Sequence, residues 1–143
     1  MIRAVLDVNV LVSAFIGPAG SPPDRILREW QTGSFDLVAS PLLISELTAV
    51  LSRPKFERQA GSGRADAFIA SVAGGAILLQ DPDERPRVSE DPGDDYLIAL
   101  ARLATADLIV SGDKHLLDLE DPQPAVMAPR DFAELLSRSA LSG

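Results

Sequence analysis

The stretch that decides the fold class is Ile2-Arg3-Ala4-Val5-Leu6-Asp7-Val8-Asn9-Val10-Leu11-Val12-Ser13. Its first part is a short apolar run with β-branched members, which predicts a buried strand over residues 2–7. Asparagine is a favourable helix cap, so we expect Asn9 to cap a helix that covers Val10 to Phe15. A strand that passes directly into a helix is typical of α/β folds, and we expect this first strand to lie near the centre of the sheet.

Strands and helices alternate along the rest of the chain. Short apolar runs predict further strands at 35–39, 76–79, 108–110 and 125–127. Ser21-Pro22 and Ser40-Pro41 are typical helix starts, and further helices are expected at 64–73, at 94–104 and after Pro129. Gly74-Gly75 is expected to end the helix at 64–73. This alternation predicts an α/β fold, in which a parallel sheet of about five strands carries helices on both faces, in one domain of residues 1–143.

The composition excludes several classes of protein. The chain has 143 residues, of which 46% are hydrophobic and 24% charged, so it can bury a core of ordinary size. It has no Cys, which excludes disulfides and thiolate metal sites. No apolar run approaches the roughly 20 residues of a membrane span. The N-terminus lacks the pattern of a signal peptide. We therefore expect a cytoplasmic protein that does not associate with membranes.

The charge of the chain is negative and unevenly distributed. A net charge of −8 argues against broad binding of nucleic acid through phosphate neutralisation. Arg53, Lys55, Arg58 and Arg64 nevertheless make one stretch basic, whereas residues 81–95 are rich in acids. A basic rim beside an acidic centre suits a phosphodiester substrate, although two solvated loops would show the same pattern.

Four carboxylates occur where predicted strands pass into helices or loops: Asp7, Glu46, Asp94 and Asp113. In an open α/β sheet such positions converge on the crevice at the carboxyl ends of the strands. Each acid has a structural alternative, as a turn or cap residue or, for Glu46, as a solvated helix residue. Clustered acids repel one another unless protons or a hard cation neutralise them. The pattern therefore predicts a site for Mg²⁺ or Mn²⁺.

Neighbouring polar residues extend this candidate site, and other kinds of site are excluded. Asn9 and Ser111 can support the carboxylates or a substrate phosphate, or can serve only as turn residues, and Asp95 adjoins Asp94. A single histidine, His115, cannot build a zinc site. The sequence has no Gly-x-Ser-x-Gly motif and no glycine-rich phosphate loop.

Four motifs in order resemble the PIN domain family. They are Leu-Asp-Val-Asn-Val-Leu-Val-Ser-Ala at 6–14, Ser40-Pro41 followed by Glu46-Leu47, Asp-Pro-Gly-Asp-Asp at 91–95 leading to Ala-Leu-Ala at 99–101, and Ala-Asp-Leu-Ile-Val-Ser-Gly-Asp-Lys-His-Leu at 106–116. Together they span nearly the whole chain. They look most similar to the bacterial VapC-like toxins of toxin–antitoxin pairs. The position before the last helix is commonly Thr or Ser in this family, and here it is Ala128.

The resemblance implies a three-layer α/β/α sandwich and a metal-dependent endoribonuclease. It places Asp7, Glu46, Asp94 and Asp113 on the family's catalytic, metal-binding acids, with Asp95 one residue from the third. Asn9 matches a polar position that often supports the first acid. The implied cofactor is Mg²⁺ or Mn²⁺, and the implied partners are an RNA substrate, a cognate antitoxin protein and a second copy of the chain.

Three other functions compete with the nuclease. A phosphatase of the haloacid dehalogenase type would use Asp7 as nucleophile, but it needs an acid where this chain has Asn9. A receiver-like domain needs paired acids after the first strand and a Lys after the last, and neither is present at Val8 or at 125–129. A non-catalytic scaffold that binds RNA or protein would retain the self-repelling carboxylates without a use for them.

Overall fold

The central element of the fold is a parallel sheet. In a computed structural model that describes residues 1–83 and 95–142, the sheet has five strands in the order β3-β2-β1-β4-β5. The strands are β1 (Arg3–Leu6), β2 (Asp36–Ala39), β3 (Ile77–Leu78), β4 (Leu108–Val110) and β5 (Ala125–Met127). Every pairing between neighbouring strands is parallel. This confirms the predicted fold class, and β1 is the central strand, as expected.

Helices connect the strands and cover the sheet. They are α1 (Val8–Ile16), α2 (Pro22–Gln31), α3 (Pro41–Leu51), a 3₁₀ turn (Pro54–Phe56), α4 (Glu57–Ala60), α5 (Arg64–Gly75), α6 (Asp95–Leu103), α7 (Lys114–Leu117) and α8 (Pro129–Ser142). Ser21 and Ser40 cap α2 and α3 through hydroxyl oxygens that accept backbone N–H bonds. No helix within the two described ranges is long and apolar enough to cross a bilayer.

Helix α5 ends at Gly75, so it ends at the predicted glycine pair, two residues later than the expected bound of residue 73. A Cβ atom at Gly75 would lie 2.8 Å from Cζ2 of Trp30, which is closer than real contacts allow. Gly75 therefore also permits a close approach between α5 and the indole ring of α2.

Burial of β1 shows that both faces of the sheet are covered. Successive side chains of a strand point to opposite faces. Ala4, Val5 and Leu6 are all buried, so neither face at the centre of the sheet meets solvent. The core is therefore two apolar layers, with the sheet between them, as in a three-layer α/β/α sandwich.

The strand register determines which residues meet at the carboxyl edge of the sheet. Leu6 lies opposite Val110, so the next residues, Asp7 and Ser111, are neighbours beyond the strand ends. The N–H of Asp7 continues the ladder by donating to the carbonyl of Val110 at 2.9 Å. On the other side, Ala39 ends β2 and Ser40 begins the turn into α3.

Candidate metal-binding active site

Asp7 directly follows β1 and is the N-cap residue of α1. Its Oδ1 accepts a hydrogen bond from the backbone N–H of Asn9 at 3.4 Å, and the helix begins at Val8. The expectation that Asn9 would cap this helix is therefore wrong. A short Asp side chain directly after the strand reaches the first free N–H groups before Asn9 can. Asn9 lies inside the first turn and is exposed, and its bond to Asp7 comes from the backbone.

Ser111 connects Asp7 to Asp113. The Oγ of Ser111 donates to Oδ2 of Asp7 at 2.8 Å and accepts the backbone N–H of Asp113 at 3.0 Å. Asp113 in turn caps α7, because its Oδ1 accepts the N–H of His115 at 2.9 Å. Ser111 is completely buried, so these bonds are shielded from water and hold the Asp7 carboxylate in a fixed orientation.

The environment of Asp7 disfavours its negative charge. Only 7% of Asp7 is exposed. Burial raises the pKa of the carboxyl above its ordinary value of 3.8, and the charge of Asp113 raises the pKa further, against the opposing effect of the hydrogen bonds from Ser111, Asn9 and Val8. A bound cation would remove this penalty, because it would replace the lost hydration of the carboxylate.

Glu46 projects from α3, and Tyr96 holds it. The Tyr96 hydroxyl donates to Oε2 of Glu46 at 3.0 Å, and this bond joins α3 to α6. Tyr96 is buried, whereas Glu46 is exposed. Burial raises the pKa of Tyr96 above its ordinary value of 10.0, and the charge of Glu46 and the hydrogen bond to it act in the same direction. The hydroxyl therefore stays protonated and donates a hydrogen bond to the carboxylate.

Asp81, like Tyr96, is a residue of this region that the sequence did not predict. Its Oδ2 accepts the backbone N–H of Leu42 at 2.9 Å, so it satisfies a free donor in the first turn of α3. Its Oδ1 is buried and has no hydrogen-bond partner among the described residues. The sequence signal for Asp81 was its place just after the third predicted strand. Tyr96 gave no such signal, because its partner is 50 positions away.

Asp7 and Glu46 line one hollow at the carboxyl edge of the sheet. The hollow has a volume of about 310 Å³, and its lining residues are Asp7, Val8, Asn9, Glu46, Ala49, Val50 and Arg53. A water molecule takes roughly 30 Å³ of liquid volume, so the hollow has room for a hydrated cation and a phosphate group. Asp113 is not part of this lining, and its charge reaches the site through its proximity to Asp7.

The acidic pair at 94–95 falls at the boundary of the described residues. Asp95 begins α6 and is 4% exposed. Asp94 lies outside the described residues, so its role stays a prediction. Within residues 1–83 and 95–142, no three His, Asp or Glu side chains are grouped closely enough to hold a metal ion. The pair that shares a hollow is Asp7 and Glu46.

This donor set is suited to Mg²⁺ or Mn²⁺. Mg²⁺ keeps several of its waters and is usually bound by one or two carboxylates together with substrate phosphates. Asp7 and Glu46 supply two carboxylates at one hollow, and burial disfavours the anionic form of Asp7. The two residues meet that requirement without further protein ligands.

Comparison with known proteins identifies a family and a shared fold. A family model described as PIN domain matches residues 3–115. An uncharacterized protein of Methanocaldococcus jannaschii is 28% identical in an alignment of 142 positions that covers 93% of this chain and 90% of that protein. The crystal structure of PAE2754 from Pyrobaculum aerophilum has a TM-score of 0.55 at 19% identity, over 96% of this chain and 90% of that one. The PIN domain of human SMG5 has a TM-score of 0.51 at 14% identity, over 93% of this chain and 97% of that one.

Proposed function

The chain belongs to the PIN domain family, whose members are typically nucleases, and on that premise we propose that it is a Mg²⁺- or Mn²⁺-dependent endoribonuclease. The observation that carries the proposal is the hollow at the carboxyl edge of the sheet, which Asp7 and Glu46 line together. Family membership also argues against the phosphatase and the receiver-like domain, because those functions belong to other families.

Asp7 and Glu46 would hold the cation, with Asp113 and an acid of the 94–95 pair contributing negative charge nearby. When bound, such a cation stabilises the negative charge that develops on the phosphate oxygens during hydrolysis. The chain's own contribution is to fix its carboxylates in advance. Ser111 orients Asp7, and Tyr96 orients Glu46, so these two carboxylates are already positioned when the substrate arrives.

Burial of Asp95 supports it as the third acid. It is the first residue of α6, and this helix packs against β1 and β4, the strands that end at Asp7 and Ser111. The sequence pattern favoured Asp94, and both assignments belong to the same proposed site.

The biological role we propose is that of the toxin of a toxin–antitoxin pair, acting in the cytoplasm. The motifs at 6–14 and 106–116, which resemble those of VapC-like toxins, support this role. It requires a cognate antitoxin that blocks the hollow, and the resemblance also implies a homodimer. Expression of the chain in a bacterial host should arrest growth, and the Asp7→Asn variant at equal expression should not. Equal arrest by both would contradict the toxin role.

Cleavage of RNA by the purified chain tests the proposed activity. A single-stranded RNA with a fluorophore at one end should be cut in the presence of Mg²⁺ or Mn²⁺ and should stay intact in excess chelator. Asp7→Asn should lose activity, whereas Asp66→Asn, which removes an exposed acid from α5, should keep it. Cleavage that is insensitive to chelator, or that is equal in the two variants, would contradict the proposal.

A further inference from the structure

Two further depressions lie next to the hollow at Asp7 and Glu46. A second depression is lined by Leu51, Ser52, Arg53, Pro54, Glu57, Ala60 and Gly61, and a third by Pro54, Lys55, Glu57, Arg58 and Gln59. Arg53 lines both the hollow and the second depression. Pro54 and Glu57 line both the second and the third. The three depressions therefore adjoin one another in a row, and we call the part formed by residues 51–61 the basic groove.

The charge of the basic groove is opposite to that of the chain. The protein has a net charge of −8, yet Arg53, Lys55 and Arg58 lie on the groove and its single acidic lining residue is Glu57. All three cationic residues are exposed. A polyanion that approaches the acidic hollow is repelled by its carboxylates, so it needs positive charge beside them. The basic groove supplies that charge, beginning at Arg53 on the rim of the hollow.

The backbone of the basic groove is anchored to the core. The 3₁₀ turn Pro54–Phe56 follows the end of α3, and α4 continues directly from it. Phe56 is partly buried against the hydrophobic core, and the Nζ of Lys55 lies 5.0 Å from the centroid of its ring. The backbone that carries these cations is therefore held against the core, and the ring contact favours one position of the Lys55 side chain.

We propose that the basic groove binds the sugar–phosphate backbone of single-stranded RNA on one side of the bond that is cleaved. This inference rests on the proposed nuclease function and names the path of its substrate. A short row of three cations suits one strand. Tight binding of a duplex commonly uses about six to ten phosphate contacts, which the three cations of this groove do not provide.

Binding measurements on paired variants test the groove. The Asp7→Asn substitution prevents cleavage of the RNA. Fluorescence anisotropy can then measure the affinity of this variant for a short labelled single-stranded RNA over a range of salt concentrations. Adding Lys55→Ala and Arg58→Ala should weaken binding about tenfold, which corresponds to the loss of two charged contacts. The slope of log K against log salt should become shallower by about 1.4, because each phosphate contact on a single strand contributes about 0.7.

A matched control removes equal charge elsewhere. Arg28→Ala with Arg130→Ala changes two exposed residues of α2 and α8, neither of which lines the groove. This pair should leave both the affinity and the salt slope nearly unchanged. Equal weakening by the two pairs, no weakening by the groove pair, or tighter binding of duplex than of single-stranded RNA would overturn the inference. Unchanged thermal unfolding of both pairs establishes that the variants are folded.

Cleavage kinetics separate the groove from the nuclease proposal. In the chain with an intact Asp7, Lys55→Ala with Arg58→Ala should raise the KM for RNA about tenfold and leave kcat unchanged, since the groove holds RNA away from the reacting bond. If the chain binds RNA through the groove but cleaves none, the nuclease proposal is contradicted and the groove proposal still holds. If Lys55→Ala with Arg58→Ala cleaves RNA with the wild-type KM, only the groove proposal is overturned.

Discussion

The Ser111 hydroxyl donates a hydrogen bond to Oδ2 of Asp7 at 2.8 Å, between residues that are 104 positions apart in the chain. Both residues directly follow paired strands, and the register that places Leu6 opposite Val110 brings them together. Because the same hydroxyl oxygen accepts the N–H of Asp113, one serine orders two of the predicted catalytic acids. The positions of these two acids are therefore fixed by the pairing of β1 with β4 at the edge of the sheet.

The Ser111→Ala variant should lose stability and activity. It removes a donor from a buried carboxylate and leaves the N–H of Asp113 without its acceptor, so the free energy of unfolding should fall by about 1–3 kcal/mol. Urea unfolding measures this change. Ser71→Ala, at an exposed residue of α5, should stay within about 0.5 kcal/mol of the wild type. Equal effects of the two substitutions would show that the Ser111 bond has no special role.

The stability of the metal-free protein should fall as pH rises through the titration of Asp7. The pKa of Asp7 is raised in the folded state, so between its ordinary value of 3.8 and the raised value the folded state binds more protons than the unfolded state. The stabilising effect of the protonated carboxyl is complete below 3.8 and is lost above the raised pKa.

The Asp7→Asn variant removes this pH dependence. In excess chelator its free energy of unfolding should decline less than that of the wild type as pH rises from 3.8 towards neutrality. Urea unfolding at a series of pH values measures the difference, with Asp66→Asn as the control that follows the wild type. Parallel curves for the wild type and Asp7→Asn would mean that Asp7 titrates at its ordinary pKa.

Tyr96 is expected to act on catalysis through Glu46. The Tyr96→Phe variant should lower kcat about tenfold, equivalent to about 1.4 kcal/mol, with little change in the KM for RNA because the ring is buried. The Glu46→Ala background removes the acceptor, so Tyr96→Phe should have a much smaller effect there. Independent, additive effects of the two substitutions would contradict positioning through the 3.0 Å hydrogen bond.

The two acids at 94–95 should differ in their contribution to activity. Asp95 is buried at the start of α6, and loss of a fixed charged group at an active site commonly lowers kcat by about 10²–10³. Asp95→Asn should show a loss of this size, and Asp94→Asn should show a clearly smaller one. Single-turnover cleavage measures both. The reverse order would assign the third acid to Asp94, as the sequence pattern favoured.

Much of the fold could be predicted from local sequence, because alternating apolar runs and cap residues are local signals. The strand at 108–110 was predicted with its observed bounds, and β1 is central as expected. The sheet edge also explains why Asp7 and Ser111 meet. Local signals could not reveal that Asp7 caps α1 instead of Asn9, or that Tyr96 meets Glu46, because those contacts depend on helix packing and exact turn geometry.

The structure of the basic groove also could not be predicted from local sequence. Helix α3 ends at Leu51, shortly before Pro54, a residue that cannot continue a helix without losing a hydrogen bond. The 3₁₀ turn and α4 that follow were not predicted, because each is a single short turn without an apolar periodicity. The sequence indicated a basic stretch, but only the structure places Arg53 on the rim of the hollow that Asp7 and Glu46 line.

Binding of Mn²⁺ to the purified chain tests the central claim most directly, because it requires neither the right RNA nor an active preparation. Electron paramagnetic resonance of free Mn²⁺ during a titration gives the dissociation constant for the wild type, Asp7→Asn and Asp66→Asn. The account predicts that the wild type and Asp66→Asn bind the ion equally and that Asp7→Asn binds it at least about tenfold more weakly. Wild-type affinity in Asp7→Asn would contradict it.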